Sequence, residues 1–172
     1  MYDEHTSGAP IFENGAKTSS FAYLFSSAGT SVAQGGLSGL GRAALDVAGK
    51  IWALPNTIIG FAAGMAGIPF GGDWPTIGNN AIQFLNYPWG HDAITLGNVQ
   101  IYVDYGPKAN LQLYDSLVPL NVGLHEEAHT YQSQVLGPLF FPVYGASGGI
   151  SSTNPLEHAA NNYASGGGWW PW

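Results

Sequence analysis

The segment Leu124-His125-Glu126-Glu127-Ala128-His129-Thr130-Tyr131 decides how the chain is read. It lies in the clearest helical block of the sequence, predicted over residues 117–136. There Leu124, Ala128, Tyr131 and Val135 recur three or four apart, and Gly137-Pro138 closes the block. His125 and His129 are four apart, so on a helix they stack on one face and can address a single metal ion. Glu126, beside the first His, is placed to take a proton from water instead of binding the metal. A zinc ion would lower the pKa of that water toward ~7. The pattern is H-E-x-x-H, and it stands out against the composition. Only 9 % of residues are charged, yet two carboxylates and two imidazoles fall within this one turn. The alternative is a solvent-facing turn carrying two unrelated His.

A catalytic zinc takes a third protein ligand. Downstream, only the last predicted helix offers candidates, Glu157 and His158. Asn154 reads as its N-cap and Pro155 as its first helical residue, with an end near Ala164. Glu157 is the preferred ligand and His158 the alternative. Glu157 could also be only an acid favoured by the helix dipole. Asn161, four residues after Glu157, could accept a hydrogen bond from a ligating imidazole and orient it. Tyr144 and Tyr163 are candidates for stabilising an oxyanion, with core packing as the alternative for each. Glu127 is expected to point away from the metal, and His5 and His91 to lie on the surface.

Outward from this block, Ala93–Leu96 and Val99–Val103 alternate apolar and polar residues around Gly97-Asn98. They predict a hairpin with a type II′ turn. Ala81–Leu85 is a further strand candidate. Apolar spacing predicts a helix over Arg42–Leu54, stopped by Pro55, and a second over Thr57–Ala66. Leu139–Tyr144 fits helix or strand, and 145–153 reads as a loop. Residues 1–18 read as a flexible lead-in and 19–172 as one domain. The tail Trp169-Trp170-Pro171-Trp172 is expected to pack on the core. Two further motif matches are rejected. Gly145-Ala146-Ser147-Gly148-Gly149 fits G-x-S-x-G but has too little chain after it to supply an acid and a base from later loops. Gly39-Leu40-Gly41-Arg42-Ala43-Ala44 fits a dinucleotide fingerprint but follows no apolar strand.

Composition narrows the classes. Four Lys+Arg against 11 Asp+Glu give a net charge of -7, which argues against a nucleic-acid partner. With no Cys, thiol catalysis and zinc ribbons are excluded. The acidic start does not resemble an export signal. Between Lys50 and Asp73 no residue is charged, enough on paper for a membrane span. Pro55, Pro69 and the glycines at 60, 64 and 67 argue instead for two short apolar helices.

H-E-x-x-H on one helix with a Glu on a later one resembles the gluzincin branch of zinc metallopeptidases. That resemblance implies an α+β, zincin-like fold with a small antiparallel sheet. It implies His125, His129 and Glu157 as ligands and Glu126 as base. Those enzymes commonly carry an acid where this chain has Asn161. The hairpin likewise resembles the zincin arrangement in which an edge strand pairs with an extended protein or peptide substrate. The runs Pro55-Asn56-Thr57-Ile58-Ile59-Gly60, Ile94-Thr95-Leu96-Gly97-Asn98-Val99, His129-Thr130-Tyr131-Gln132 and Pro171-Trp172 resemble C-terminal modules of bacterial Rhs/VgrG-type polymorphic toxins. This second resemblance implies an antibacterial effector, exported by a carrier or secretion protein into a target cell, in some such modules to its periplasm, and a cognate immunity protein. The rival expectations are a membrane-active toxin using residues 51–71 and a zincin-shaped binding module without turnover.

Overall fold

The computed structural model describes residues 39–114 and 116–171, with side chains from residue 44 onward. The expected lead-in over 1–18, His5 and Trp172 lie outside the described residues.

Two helices open the fold, α1 (Gly39–Trp52) and α2 (Leu54–Gly67), bent by 68° about Ala53. Pro55 does not end α1 as the sequence suggests. It sits in the first turn of α2, where its missing N–H has no helical acceptor to lose. Among the described residues no single helix is long and apolar enough to cross a membrane. The match at residues 39–44 lies inside α1, so its glycines are helical and do not form the tight turn that a dinucleotide site needs.

Four strands follow: β1 (Thr76–Gly78), β2 (Ala81–Phe84), β3 (Ala93–Leu96) and β4 (Val99–Tyr102), in the order β1-β2-β4-β3. The β3–β4 hairpin closes with Leu96 opposite Val99. Gly97 takes φ +70° and Asn98 stays at negative φ, as a II′ turn demands. The β1–β2 hairpin was not anticipated. Its turn residues, Asn79 and Asn80, both have positive φ, the I′ pattern that Asn tolerates. The expected antiparallel sheet is in fact mixed, because β2 and β4 run parallel. Strand β4 lies between β2 and β3, so β3 is an edge of the sheet among the described residues.

The sheet's two faces differ in chemistry, as period-2 alternation allows. Phe84, Val99 and Ile101 form an apolar cluster with Ala63, Met65 and Ile68, so α2 covers that face. Gln83, Gln100 and Tyr102 line the other. Gln83 Nε2 and the Tyr102 hydroxyl each donate to Gln100 Oε1 at 2.8 Å, and Gln100 Nε2 donates to Thr130 Oγ1 at 3.0 Å. Thr130 belongs to α3 (Val122–Leu136), which covers this second face.

Helix α3 starts five residues later than predicted. Leu120–Asn121 pair with Asn110–Leu111 in a two-stranded ladder, and Pro119 disfavours helix at Val118. Asn121 then caps α3 by accepting from the Leu124 N–H at 2.9 Å. The ambiguous segment after Gly137 is helical, α4 (Phe140–Ala146). The last helix, α5 (Pro155–Ala164), begins as read, with Asn154 accepting from the Leu156 N–H. Between α3 and α5, Ala128, Tyr131, Ala160, Tyr163 and a fully buried Trp169 form a second core cluster.

Candidate metal centre

Helix α3 is almost wholly buried, including His125, Glu126, Glu127 and His129. Four buried ionisable groups in one helix need partners, since an unpaired buried charge is costly. For the two imidazoles the partner comes from α5. His125 Nε2 and His129 Nε2 lie 3.1 Å apart, and Glu157 Oε2 lies 3.0 Å from the first and 3.3 Å from the second. His125, His129 and Glu157 therefore form a buried group that can hold a metal ion.

The outer ring nitrogens are held as well. His125 Nδ1 lies 3.0 Å from Asn161 Oδ1, and His129 Nδ1 lies 2.8 Å from Gln132 Oε1. Gln132 Nε2 donates to the carbonyls of Leu156 and Trp169, which fixes its oxygen toward His129. Each Nδ1 thus carries the donated hydrogen, and each Nε2 is aimed inward. Burial alone would push His129 down, but the hydrogen bond and charge of Glu157, with the charge of Glu126, bring its pKa up to about 9. Burial would raise Glu157, yet its hydrogen bonds to both imidazoles hold it well below the usual carboxylate range. Without metal, the site is therefore an imidazolium–carboxylate pair.

Glu126 stands apart from this triangle. Thr95 Oγ1, on edge strand β3, donates to its Oε2 at 2.6 Å. Tyr144, on α4, donates its hydroxyl to Glu157 Oε1. Burial, that hydrogen bond and the charge of Glu157 all push the Tyr144 phenol up, so it remains a donor at any working pH. The centre opens into a cleft of about 540 Å³, with Ile94, Leu113, Phe140, Phe141 and Ile150 among its walls.

The other sequence candidates separate clearly. His158 is exposed on α5 and outside the triangle. Tyr163 is not at the cleft: it is 2 % exposed, in the cluster behind α3 with its ring centroid 5.9 Å from that of Tyr131. Glu127 receives the Tyr131 hydroxyl at 2.8 Å and is no part of the triangle. His91 is exposed at the cleft rim. Ser147 is followed by a turn, not by the helix a nucleophile elbow requires.

Three site residues escaped the sequence reading. Thr95 and Tyr114 reach the site only through tertiary structure. Tyr114 has φ +49°, strained for a bulky residue, and lines the cleft with its ring centroid 6.4 Å from that of His125. Gln132 had a signal, because it lies three residues after His129 on the same helix face. Compared with protein-family models, curated proteins and solved structures, the chain has no significant match.

Proposed function

We propose that this protein is a zinc-dependent peptidase with a zincin-like active site. The observation that carries the reading is the buried triangle of two Nε2 atoms and one carboxylate oxygen, with Glu126 held separately by Thr95. Two imidazoles and one carboxylate are a donor set typical of catalytic zinc, and both imidazoles are backed by carboxamide oxygens. His125, His129 and Glu157 would hold the ion. When bound, zinc supplies Lewis-acid polarisation of a carbonyl and lowers the pKa of water.

The chain's own residues do the rest. Glu126 accepts a proton from the attacking water and returns it to the leaving amine. Thr95 fixes which Glu126 oxygen is free, because its hydroxyl occupies Oε2. Tyr144, which donates to the ligand Glu157 and lines the cleft, is the donor for a developing oxyanion. Among the described residues strand β3 has no partner on its outer side, and Ala93, Ile94 and Thr95 line the cleft. An extended peptide would add there as a further strand. The resemblance to toxin modules adds an antibacterial role with an immunity protein, which toxicity of wild-type but not Glu126→Gln protein on periplasmic expression would support.

The test begins with zinc content. Wild-type protein is expected to hold near one zinc per chain, and Glu157→Ala to lose it while His158→Ala keeps it. Glu126→Gln should keep the zinc and lower kcat on a cleaved peptide about 10²–10⁴-fold. No zinc uptake at neutral pH would overturn the reading. So would full occupancy without cleavage across peptide and cell-wall peptide libraries.

A further inference from the structure

Helix α2 is built inside out for a helix facing water. Its buried positions are Asn56, Gly60, Gly64 and Gly67. The glycines let it approach the sheet closely: a Cβ on Gly60 would sit 2.7 Å from Leu96 Cβ, and one on Gly64 would collide with the Phe84 ring. Its polar side chains are also satisfied internally. Asn56 Nδ2 donates to the Gly137 carbonyl at 2.8 Å, and Thr57 Oγ1 donates to the Ala53 carbonyl and accepts from Asn98. Leu54, Ile58 and Ile59 point the other way, while Met65 and one edge of Phe61 pack back on the Phe84 cluster. Leu54, Ile58, Ile59 and Phe61 are exposed, Ile58 by 65 %. Water-facing helices normally show the reverse pattern.

The same surface continues beyond α2. Val47 and Ile51 of α1 adjoin Leu54 across a groove whose opposite wall includes Ile77 and Ile82. Past the C-terminal end of α2, Phe70 packs on Trp89 at 4.9 Å. Trp89, itself exposed, adjoins this surface through Phe70, and among the described side chains of residues 44–74 the charges are Asp46 and Lys50 at one end and Asp73 at the other. A patch of this extent marks an interaction site.

We infer that the outer face of α1 and α2 docks on a lipid bilayer. The choice of lipid over protein rests on hydrogen bonding. Protein interfaces carry about one hydrogen bond per 100–200 Å². The outward face of α2 offers no side-chain donor or acceptor, and its backbone is satisfied within the helix. Hydrocarbon asks for none. Small residues at the packing face, large apolar residues outside and a tryptophan at the edge, Trp89, are the arrangement lipid contact selects. The pair lies in the membrane surface and does not cross it. The 68° bend breaks the rod, and α2 alone is about 21 Å long against a hydrocarbon core of ~30 Å. The sheet stands between this face and the metal centre, so docking leaves the cleft open to water. The inference is independent of the peptidase reading.

Charge sets the lipid class. Among the described side chains the face carries one cation, Lys50, already paired with Asp46 at 2.6 Å, and the chain is acidic overall. Docking is therefore driven by apolar burial and favours zwitterionic over anionic lipid. The experiment is co-sedimentation of the full chain with phosphatidylcholine vesicles. Binding is expected, unchanged between ~0.1 M and ~1 M salt and no stronger on phosphatidylglycerol. The double variant Ile51→Asp/Ile58→Asp should lose at least tenfold in partitioning with unchanged circular dichroism and zinc content. Leu117→Asp, still more exposed but outside the face, should not. Wild-type protein that stays in the supernatant at millimolar lipid overturns the inference. So does a doubled solution mass that the double variant abolishes, which would assign the face to a second copy. Equal partitioning of wild type and double variant also overturns it.

Discussion

Gln132 ties the metal centre to the rest of the fold through one carboxamide. Its oxygen faces His129 Nδ1, and its nitrogen spans the Leu156 and Trp169 carbonyls. Asn161 does a smaller version of this for His125, with only a 3.5 Å contact to the Leu113 carbonyl behind it. Loss of such supporting partners typically costs 10–100-fold in metal affinity. Gln132→Ala is expected near the upper end and Asn161→Ala near the lower, measured by competition with a chromophoric chelator. Wild-type affinity in both variants would show that the imidazoles need no such support. At this scale the sequence was legible where chemistry is local. The H-E-x-x-H spacing brings His125, Glu126 and His129 together through one helix turn, and Glu157 stood out as one of two downstream donors. Thr95 and Tyr114 were illegible because a strand pairing and a backbone strain deliver them, and neither leaves a pattern in the chain.

Among the elements, α2 shows how a helix can be legible in extent yet misread at its ends. Its apolar spacing was plain, but Pro55 starts it instead of ending its predecessor. The β1–β2 hairpin went unread because Asn-Asn is a weaker turn signal than Asn-Gly, and the strands it joins have only three and four residues. The parallel seam between β2 and β4 is set by tertiary packing, not by any local signal. The glycines of α2 carry the most testable consequence. Replacing an exposed helical Gly by Ala normally stabilises by about 1 kcal/mol. At Gly64 the new methyl meets the Phe84 ring, and overpacking costs about 1–3 kcal/mol. Gly64→Ala should therefore lower stability in urea denaturation, with the midpoint moving down at unchanged m-value. A gain in stability would mean that Phe84 can move aside.

For the whole molecule, the candidate metal site joins α3 to α5 across the cluster that holds Trp169. A ligand that binds only the folded chain stabilises it by mass action, about 2.7 kcal/mol at a hundredfold excess over Kd. Chelation should accordingly lower Tm by several degrees and zinc restore it. The effect depends on pH because a proton competes for the same imidazole. His129 has its metal-free pKa raised to about 9, above its ordinary 6.5. The proton's own stabilisation is complete below the ordinary value and disappears as pH rises through about 9. Zinc meets less competition in that direction. The Tm gain on adding zinc should be larger at pH ~8 than at pH ~6.5. Equal gains at both pH values would mean that His129 is already neutral before metal arrives.

Thr95 carries a consequence of a different kind. It lies on the edge strand that an extended peptide would join, and its hydroxyl holds the carboxylate proposed as base. Recognition and proton transfer would then share one strand. A peptide that pairs in poor register would shift β3, and with it the aim of Glu126, even when it binds well. Under the proposed chemistry, discrimination among sequences would fall on turnover more than on affinity, because the complementarity that counts is realised in the transition state.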